Sequence, residues 1–317
     1  MKYNHLFGPV ASRRLGLSLG VDLVPSKICN LNCVYCECGP TRQTTNERRE
    51  YVQASAVIAE LNDFLSSSPK IDFVTVTGSG EPTLNTGLGK VISHLKNEFS
   101  VYKTALLTNG TLLAAPDVRE AALRFDYVLP SLDAVSDTVF ASINRPNQEL
   151  HNSAIIRGIA DFARTFRGIL WLEVFIVPGV NDTDSELTLL KEAALAIKPA
   201  RVQLNTLDRP GATDSVTPAS GKHLAEIAAF FKPLPVEIVS RQYVSHAETH
   251  ATVELEAGVI SLLRRRPSTV EDLAIASGCS INEIAGLLSR LEREGSVSFE
   301  TVNNLQFYKM KLTKIQK

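Results

Sequence analysis

"FVTVTGSGEPTL", Phe73 to Leu84, changes character halfway. Its first half is a β-branched apolar run of strand length, and its second half is a polar loop punctuated by glycine. "GLGKVISHLKNEF" follows, with apolar residues at three- and four-residue steps, so strand, loop and amphipathic helix make one β/α unit. The pattern repeats from about residue 17 to residue 240. "LSLGVDLV", "KTALLTN", "YVLPSLD", "GILWLEVFIV", "RVQLNTL" and "VEIVS" read as strands, and "ASAVIAELNDFLSS", "HNSAIIRGIADFARTF", "DSELTLLKEAALAI" and "GKHLAEIAAFFK" as helices between them. Strands this apolar suit a parallel sheet covered by helices. Polar loops such as "TNGT", "SLDA", "VPGVND" and "NTLDRPG" close the strands, which is where β/α barrels build their sites.

The C-terminal part has a different rhythm. "VELEAGVISLLRRRP", "TVEDLAIASG" and "SINEIAGLLSRLEREG" read as three short helices, and "SVSFE" with "LQFYKM" as a hairpin, the element order of a winged helix. Gly278 ends the second helix, and Ser280 with Glu283 forms a capping box for the third. The expected fold is therefore α/β, a partial (β/α)6-type TIM barrel over residues 1–245, with a small winged-helix domain over residues 250–317. The boundary is expected between about His246 and Val253. At 317 residues, 44% hydrophobic and 21% charged, the chain has the composition of an ordinary globular protein, and a net charge of -1 speaks against a globally basic nucleic-acid binder. The N-terminus lacks the apolar stretch of a signal peptide and no window suits a membrane span, so a cytoplasmic protein without a membrane partner is expected.

"KICNLNCVYCECG", Lys27 to Gly39, holds four of the five cysteines. In a reducing compartment such clusters are metal ligands or redox groups rather than disulfides. Thiolates from Cys29, Cys33 and Cys36 suit zinc or an iron-sulfur centre. A closed zinc site takes four ligands, commonly as two separated pairs; no second pair follows, and Cys38 lies cramped beside Cys36. A redox pair of Cys33 and Cys36 is the other alternative. Three ligands on a four-iron cluster would leave one iron open to a cofactor or substrate. Cys279 stands apart, as a small half-buried residue.

The C-x3-C-x2-C spacing, with Tyr35 before the last cysteine, resembles the radical S-adenosylmethionine (SAM) superfamily. That resemblance implies a [4Fe-4S] cluster on Cys29, Cys33 and Cys36, with Tyr35 on the cofactor side. The open iron would chelate the methionine of SAM, and a 5'-deoxyadenosyl radical would take hydrogen from substrate. "TGSGEPTL" resembles the superfamily's glycine-glycine-glutamate loop, which places Ser79, Gly80 and Glu81 at the methionine ammonium. "LPSLDAVSDTVFASINRP", Leu129 to Pro146, is similar to the tRNA wybutosine-synthesis branch and its uncharacterised relatives. By that likeness Ser131 and Asp133 face the ribose, although Asp133 alone also reads as a helix cap. Val177 and Val180 would wall the adenine with Asn181 at its polar end, and Asn205 and Thr206 would meet its edge through the backbone. Arg13 and Arg14, in a segment that also resembles this branch, and Arg145, in a turn with Asn144 and Pro146, suit an anionic substrate group.

The branch resemblance points to RNA, tRNA in particular, as substrate. The sequence departs from the named reaction of that branch, condensation of pyruvate with methylguanosine, because it lacks the cysteines of a second cluster and an identifiable Schiff-base lysine. Expected partners are a one-electron reductant of the flavodoxin or ferredoxin kind, and RNA or protein at the C-terminal domain. The alternative is a nucleic-acid-binding regulator with an iron-sulfur sensor, using Arg290, Arg293, Lys309 and Lys311, whose helix also carries Glu292 and Glu294.

Overall fold

The computed structural model describes residues 3–25, 27–239 and 255–311. The first part runs β1 (Leu6–Ser12), β2 (Gly16–Val21), β3 (Ile28–Cys29), β4 (Gln43–Thr44), α1 (Ala54–Leu65), β5 (Phe73–Val76), α2 (Leu88–Glu98), β6 (Lys103–Thr108), α3 (Pro116–Ala122), β7 (Tyr127–Pro130), α4 (Asp137–Ile143), α5 (Asn152–Thr165), β8 (Ile169–Phe175), α6 (Asp184–Ile197), β9 (Arg201–Asn205), α7 (Gly221–Phe230) and β10 (Val236–Ile238). An eight-stranded sheet has the order β1-β2-β5-β6-β7-β8-β9-β10. Only β1 runs antiparallel to its neighbour; β2 onward are parallel. With β1 and β10 at its edges the sheet is open, a parallel core consistent with a partial barrel.

The strands alternate as a pleat requires. Leu19, Val21, Val74, Val76, Leu106 and Val128 are buried in the main core with the helices. Their neighbours Ser18, Gly20, Thr75 and Leu107 line a cavity on the other face, where the Ser18 and Thr75 hydroxyls lie 2.6 Å apart. One face is therefore oily and the other partly polar. The sequence reading missed β1 and the seven-residue helix α3, and its helix from Ala134 begins at Asp137 as α4. It also extended β7 through Asp133, whereas the strand ends at Pro130 and frees Ser131 and Asp133 for the loop.

The C-terminal part comprises α8 (Leu255–Arg265), α9 (Val270–Ser277), α10 (Ile281–Arg293) and an antiparallel hairpin of β11 (Val297–Val302) and β12 (Leu305–Met310). It encloses its own core, including Val259, Leu273, Ile284, Leu288 and Val297. The Ser280–Glu283 capping box is present, and Gly278 ends α9 at φ +70°, a left-handed cap that glycine adopts without strain. A second capping box, Thr269 with Asp272, went unread in the sequence. The expected boundary between about His246 and Val253 lies outside the described residues. α9 lies against β1, and no described helix is long and apolar enough to cross a membrane.

Phe162 is fully buried in the main core, its ring stacked on Phe166 with centroids 4.9 Å apart. Replacing it by alanine should cost about 3–5 kcal/mol, measured as a lowered urea midpoint for the barrel.

Candidate active site

The cysteine loop is held from three sides. Its start is paired to the loop after β5: Lys27 N–H donates to the Ser79 carbonyl at 3.2 Å, and Glu81 N–H to the Ile28 carbonyl at 3.1 Å. Between these bonds a Cβ on Gly80 would fall 1.9 Å from the Ile28 oxygen, so only glycine permits the approach. Cys29 lies on β3, paired with β4. Farther along, Asn32 N–H donates to the Asn144 carbonyl and Val34 N–H to the Ile143 carbonyl, both at 2.9 Å.

Each sulfur of the sequence-predicted trio accepts a hydrogen bond. Leu31 N–H reaches Cys29 Sγ at 3.4 Å and Asn109 Nδ2 approaches it at 3.7 Å. Asn144 Nδ2 donates to Cys33 Sγ at 3.4 Å, and the buried Lys27 ammonium to Cys36 Sγ at 3.3 Å. The Cys38 thiol hydrogen-bonds the Cys36 sulfur, and together with Lys27 it brings Cys36 down to about 6 against the effect of burial. Burial, with the Glu81 and other negative charges nearby, pushes Cys29 up to about 12. Burial and Asp133 hold Cys33 well above the usual thiol range.

Several side chains expected to touch SAM also brace this loop. Glu81 caps the turn at Pro82–Leu84: its Oε1 accepts from Thr83 and from Thr108 Oγ1 at 2.6 Å, and its Oε2 from Asn109 N–H at 2.8 Å. Burial raises its carboxyl against those donors. Asp133 does not cap α4, a role that Ser136 takes. Its carboxylate takes the Tyr35 hydroxyl, Asn144 Nδ2 at 2.8 Å and Phe175 N–H at 2.9 Å. Tyr35 stacks on Phe175 at 3.8 Å, in a cluster with Val177 and Val180. Asn181 is fully buried, donating to the Asp133 and Phe175 carbonyls and accepting from Val177 N–H. Asn205 is likewise occupied, its Oδ1 accepting from Thr206 N–H at 3.0 Å and its carbonyl from Ile176 N–H at 2.7 Å. Ser131 is half-buried and its hydroxyl has no partner among the described residues.

Arg13 and Arg14 line a cavity of about 210 Å³ that also reaches Ser79 and Cys38. Arg145 does not join them: it is exposed, at φ +45°, in the turn that receives Asn32. Four residues that matter here escaped the sequence reading. Lys27 carried a signal, a cation directly before the thiols. Asn109, Asp22 and Arg265 carried none, because they reach the site from other strands or from the C-terminal helix.

The model of the radical SAM superfamily matches residues 23–190, more than half of the chain. The chain belongs to the radical SAM superfamily. It is 34% identical over 309 residues to a UPF0026 protein of Helicobacter pylori, covering 96% of each chain. It is also 34% identical over 309 residues to the GTPase Obg of Brachyspira hyodysenteriae, covering 97% of this chain but 45% of that protein, so the chain spans less than half of that relative. A radical SAM methyltransferase from Sphaerobacter thermophilus shares the fold at a TM-score of 0.53 and 16% identity, over 70% of this chain and 65% of that one.

This radical SAM enzyme uses a [4Fe-4S] cluster and SAM as cofactors. No group of three His, Cys, Asp or Glu among the described residues stands ready to hold a metal ion as placed. The donor set nevertheless fits an iron-sulfur cluster: three half-buried free thiols interact through their charges, and each faces an N–H donor that stabilises sulfur charge.

Gly80→Ala should separate the two loops. The expected result is loss of bound iron with helix content retained, read by iron analysis and circular dichroism; undiminished iron would sink the loop-contact argument.

Proposed function

We propose that Cys29, Cys33 and Cys36 hold the cluster, that the Ser79–Gly80–Glu81 loop receives the methionine end of SAM, and that substrate enters the cavity behind Arg13 and Arg14. The observation that carries this reading is the donor pattern at sulfur. Lys27, Leu31 and Asn144 serve the three proposed ligands, whereas among the described residues no N–H reaches the sulfur of Cys38 or Cys279. Cys38 instead keeps its proton and donates a hydrogen bond to the Cys36 sulfur.

Once bound, cluster and cofactor supply a 5'-deoxyadenosyl radical that abstracts hydrogen from the substrate. The protein's own part is to fix positions and keep water out. Asn144 ties Cys33 to Asp133, which also holds Tyr35, so the loop between two ligands cannot swing. Lys27 offsets the negative charge of the thiolates from a buried position. Val177 and Val180, packed with Tyr35, form an apolar wall suited to the adenine. A flavodoxin- or ferredoxin-like donor in the cytoplasm is the proposed source of the electron.

The finer reading, tRNA modification in a wybutosine-like branch, draws on the likeness of Leu129 to Pro146. A winged-helix assignment draws on three helices followed by a hairpin. For binding nucleic acid, the cations of that part are poorly available. Arg290 pairs with Glu256 at 2.6 Å and with Glu294, and Lys309 with Glu300 at 2.5 Å. Exposed pairs of this kind compete with phosphate, which leaves the regulator alternative to Arg293 and Lys311. We therefore assign the C-terminal part to the barrel rather than to nucleic acid.

Anaerobically purified protein should be brown, with about four iron and four sulfide per chain. Changing Cys29, Cys33 or Cys36 to alanine should abolish the cluster and reductant-dependent formation of 5'-deoxyadenosine, while Cys38→Ala keeps both. A colourless protein with stoichiometric zinc would defeat the reading.

A further inference from the structure

The cavity behind Arg13 and Arg14 is not made by the barrel alone. Its walls include Leu262, Arg265 and Arg266 from the C-terminal part, and five of its lining residues are arginines: Arg13, Arg14, Arg209, Arg265 and Arg266. Glu37 is the one carboxylate that lines it.

Four of the five arginines are held in ion pairs. Arg13 lies 3.5 Å from both Glu37 and Asp208, and Arg14 is paired with Glu173. Arg209 bridges Glu37 at 3.4 Å and Asp272 at 2.6 Å, and also donates to the Pro267 carbonyl at 2.9 Å. Arg265 is paired with Asp22, which also accepts from Ser79 N–H and Oγ. Arg266 has neither an ion pair nor a side-chain hydrogen bond among the described residues. Glu37 and Asp272 attract it without forming an ion pair, so this half-buried, cavity-facing guanidinium keeps its donors open to an oxyanion.

We propose that Arg266, presented at the end of α8, binds a compact oxyanion of the substrate, a carboxylate or a phosphate, in the cavity it shares with Arg13 and Arg14. This rests on the enzyme reading above and adds to it the substrate class and a role for the C-terminal part. The volume agrees: about 210 Å³ is smaller than the roughly 300–1,000 Å³ of sites for drug-sized ligands. The charge balance agrees as well. Arg209, then burial, brings Arg266 down to about 10, and burial, then Arg13, brings Arg14 to about 10. Both stay cationic at neutral pH, and an incoming anion would relieve their mutual repulsion. The cavity reaches Ser79 and Cys38, so an anion held at its far side would leave the rest of a small substrate directed toward the cofactor loops.

The test uses the full-length, cluster-loaded protein and isothermal titration with inorganic phosphate and with malonate, and with dimethyl malonate as the uncharged control. At least one of the two anions should bind, its affinity falling with salt, and the ester should not. Whichever anion binds more tightly identifies the oxyanion. Arg266→Gln should weaken that binding about tenfold or more, Arg266→Lys should weaken it less, and the exposed Arg293→Gln should leave it unchanged. The cluster absorbance of each variant reports that it is folded. The proposal is overturned if neither anion binds the wild type, or if Arg266→Gln, Arg266→Lys and wild type bind alike. Iron and sulfide counts test the enzyme reading separately, since anion binding to a protein that never takes up a cluster would sink that reading and leave Arg266 standing.

Discussion

Two loops with no regular pairing lie against each other at Gly80, where the backbone approaches the Ile28 carbonyl too closely for any side chain. One loop carries the three thiols and the other follows the strand that begins at Phe73. Hydrogen bonds from Lys27 to Ser79 and from Glu81 to Ile28 flank the contact like rungs. The site depends on this approach, because it anchors the residues on either side of Ile28: Lys27, whose ammonium reaches Cys36, and Cys29.

The buried carboxylates serve the same end. Glu81 joins the turn after β5 to the end of β6 through Thr83, Thr108 and Asn109, and Asp133 joins the cysteine loop to the end of β8 through Tyr35, Asn144 and Phe175. A carboxylate is suited to this because it accepts from several directions, and each donor offsets part of the cost of burying it. Both acids act as struts between loops. The sequence reading had given both to the cofactor and had not foreseen this bracing.

That difference shows what was legible. Alternation at Val74 and Val76, and three- and four-residue periodicity in α1, α2, α5, α6 and α7, are local signals, and they located most of the sheet and its cover. The trio of cysteines was legible for the same reason, being contained in eight residues. Helices α3 and α4 have seven residues each, too few to show a period, and β1 reads as a loop because glycine and proline interrupt it. The partners of Asp133 come from Tyr35, Asn144 and Phe175, and no local pattern announces which donors a buried carboxylate will find. "LLRRRP" was visible as a helix end, but that two of its arginines face the barrel follows only from how the two cores meet.

Asp22 and Arg265 are 243 residues apart in the chain. In a protein made from its N-terminus, the carboxylate that steadies Ser79 has no cation until nearly the whole sequence has been synthesised. The Ser79 loop thus depends on a contact between the two ends of the described chain. A contact of such high sequence separation is slow to form and easy to lose. Truncation between β10 and Arg265 would take away the cation that faces Asp22 beside the Ser79 loop.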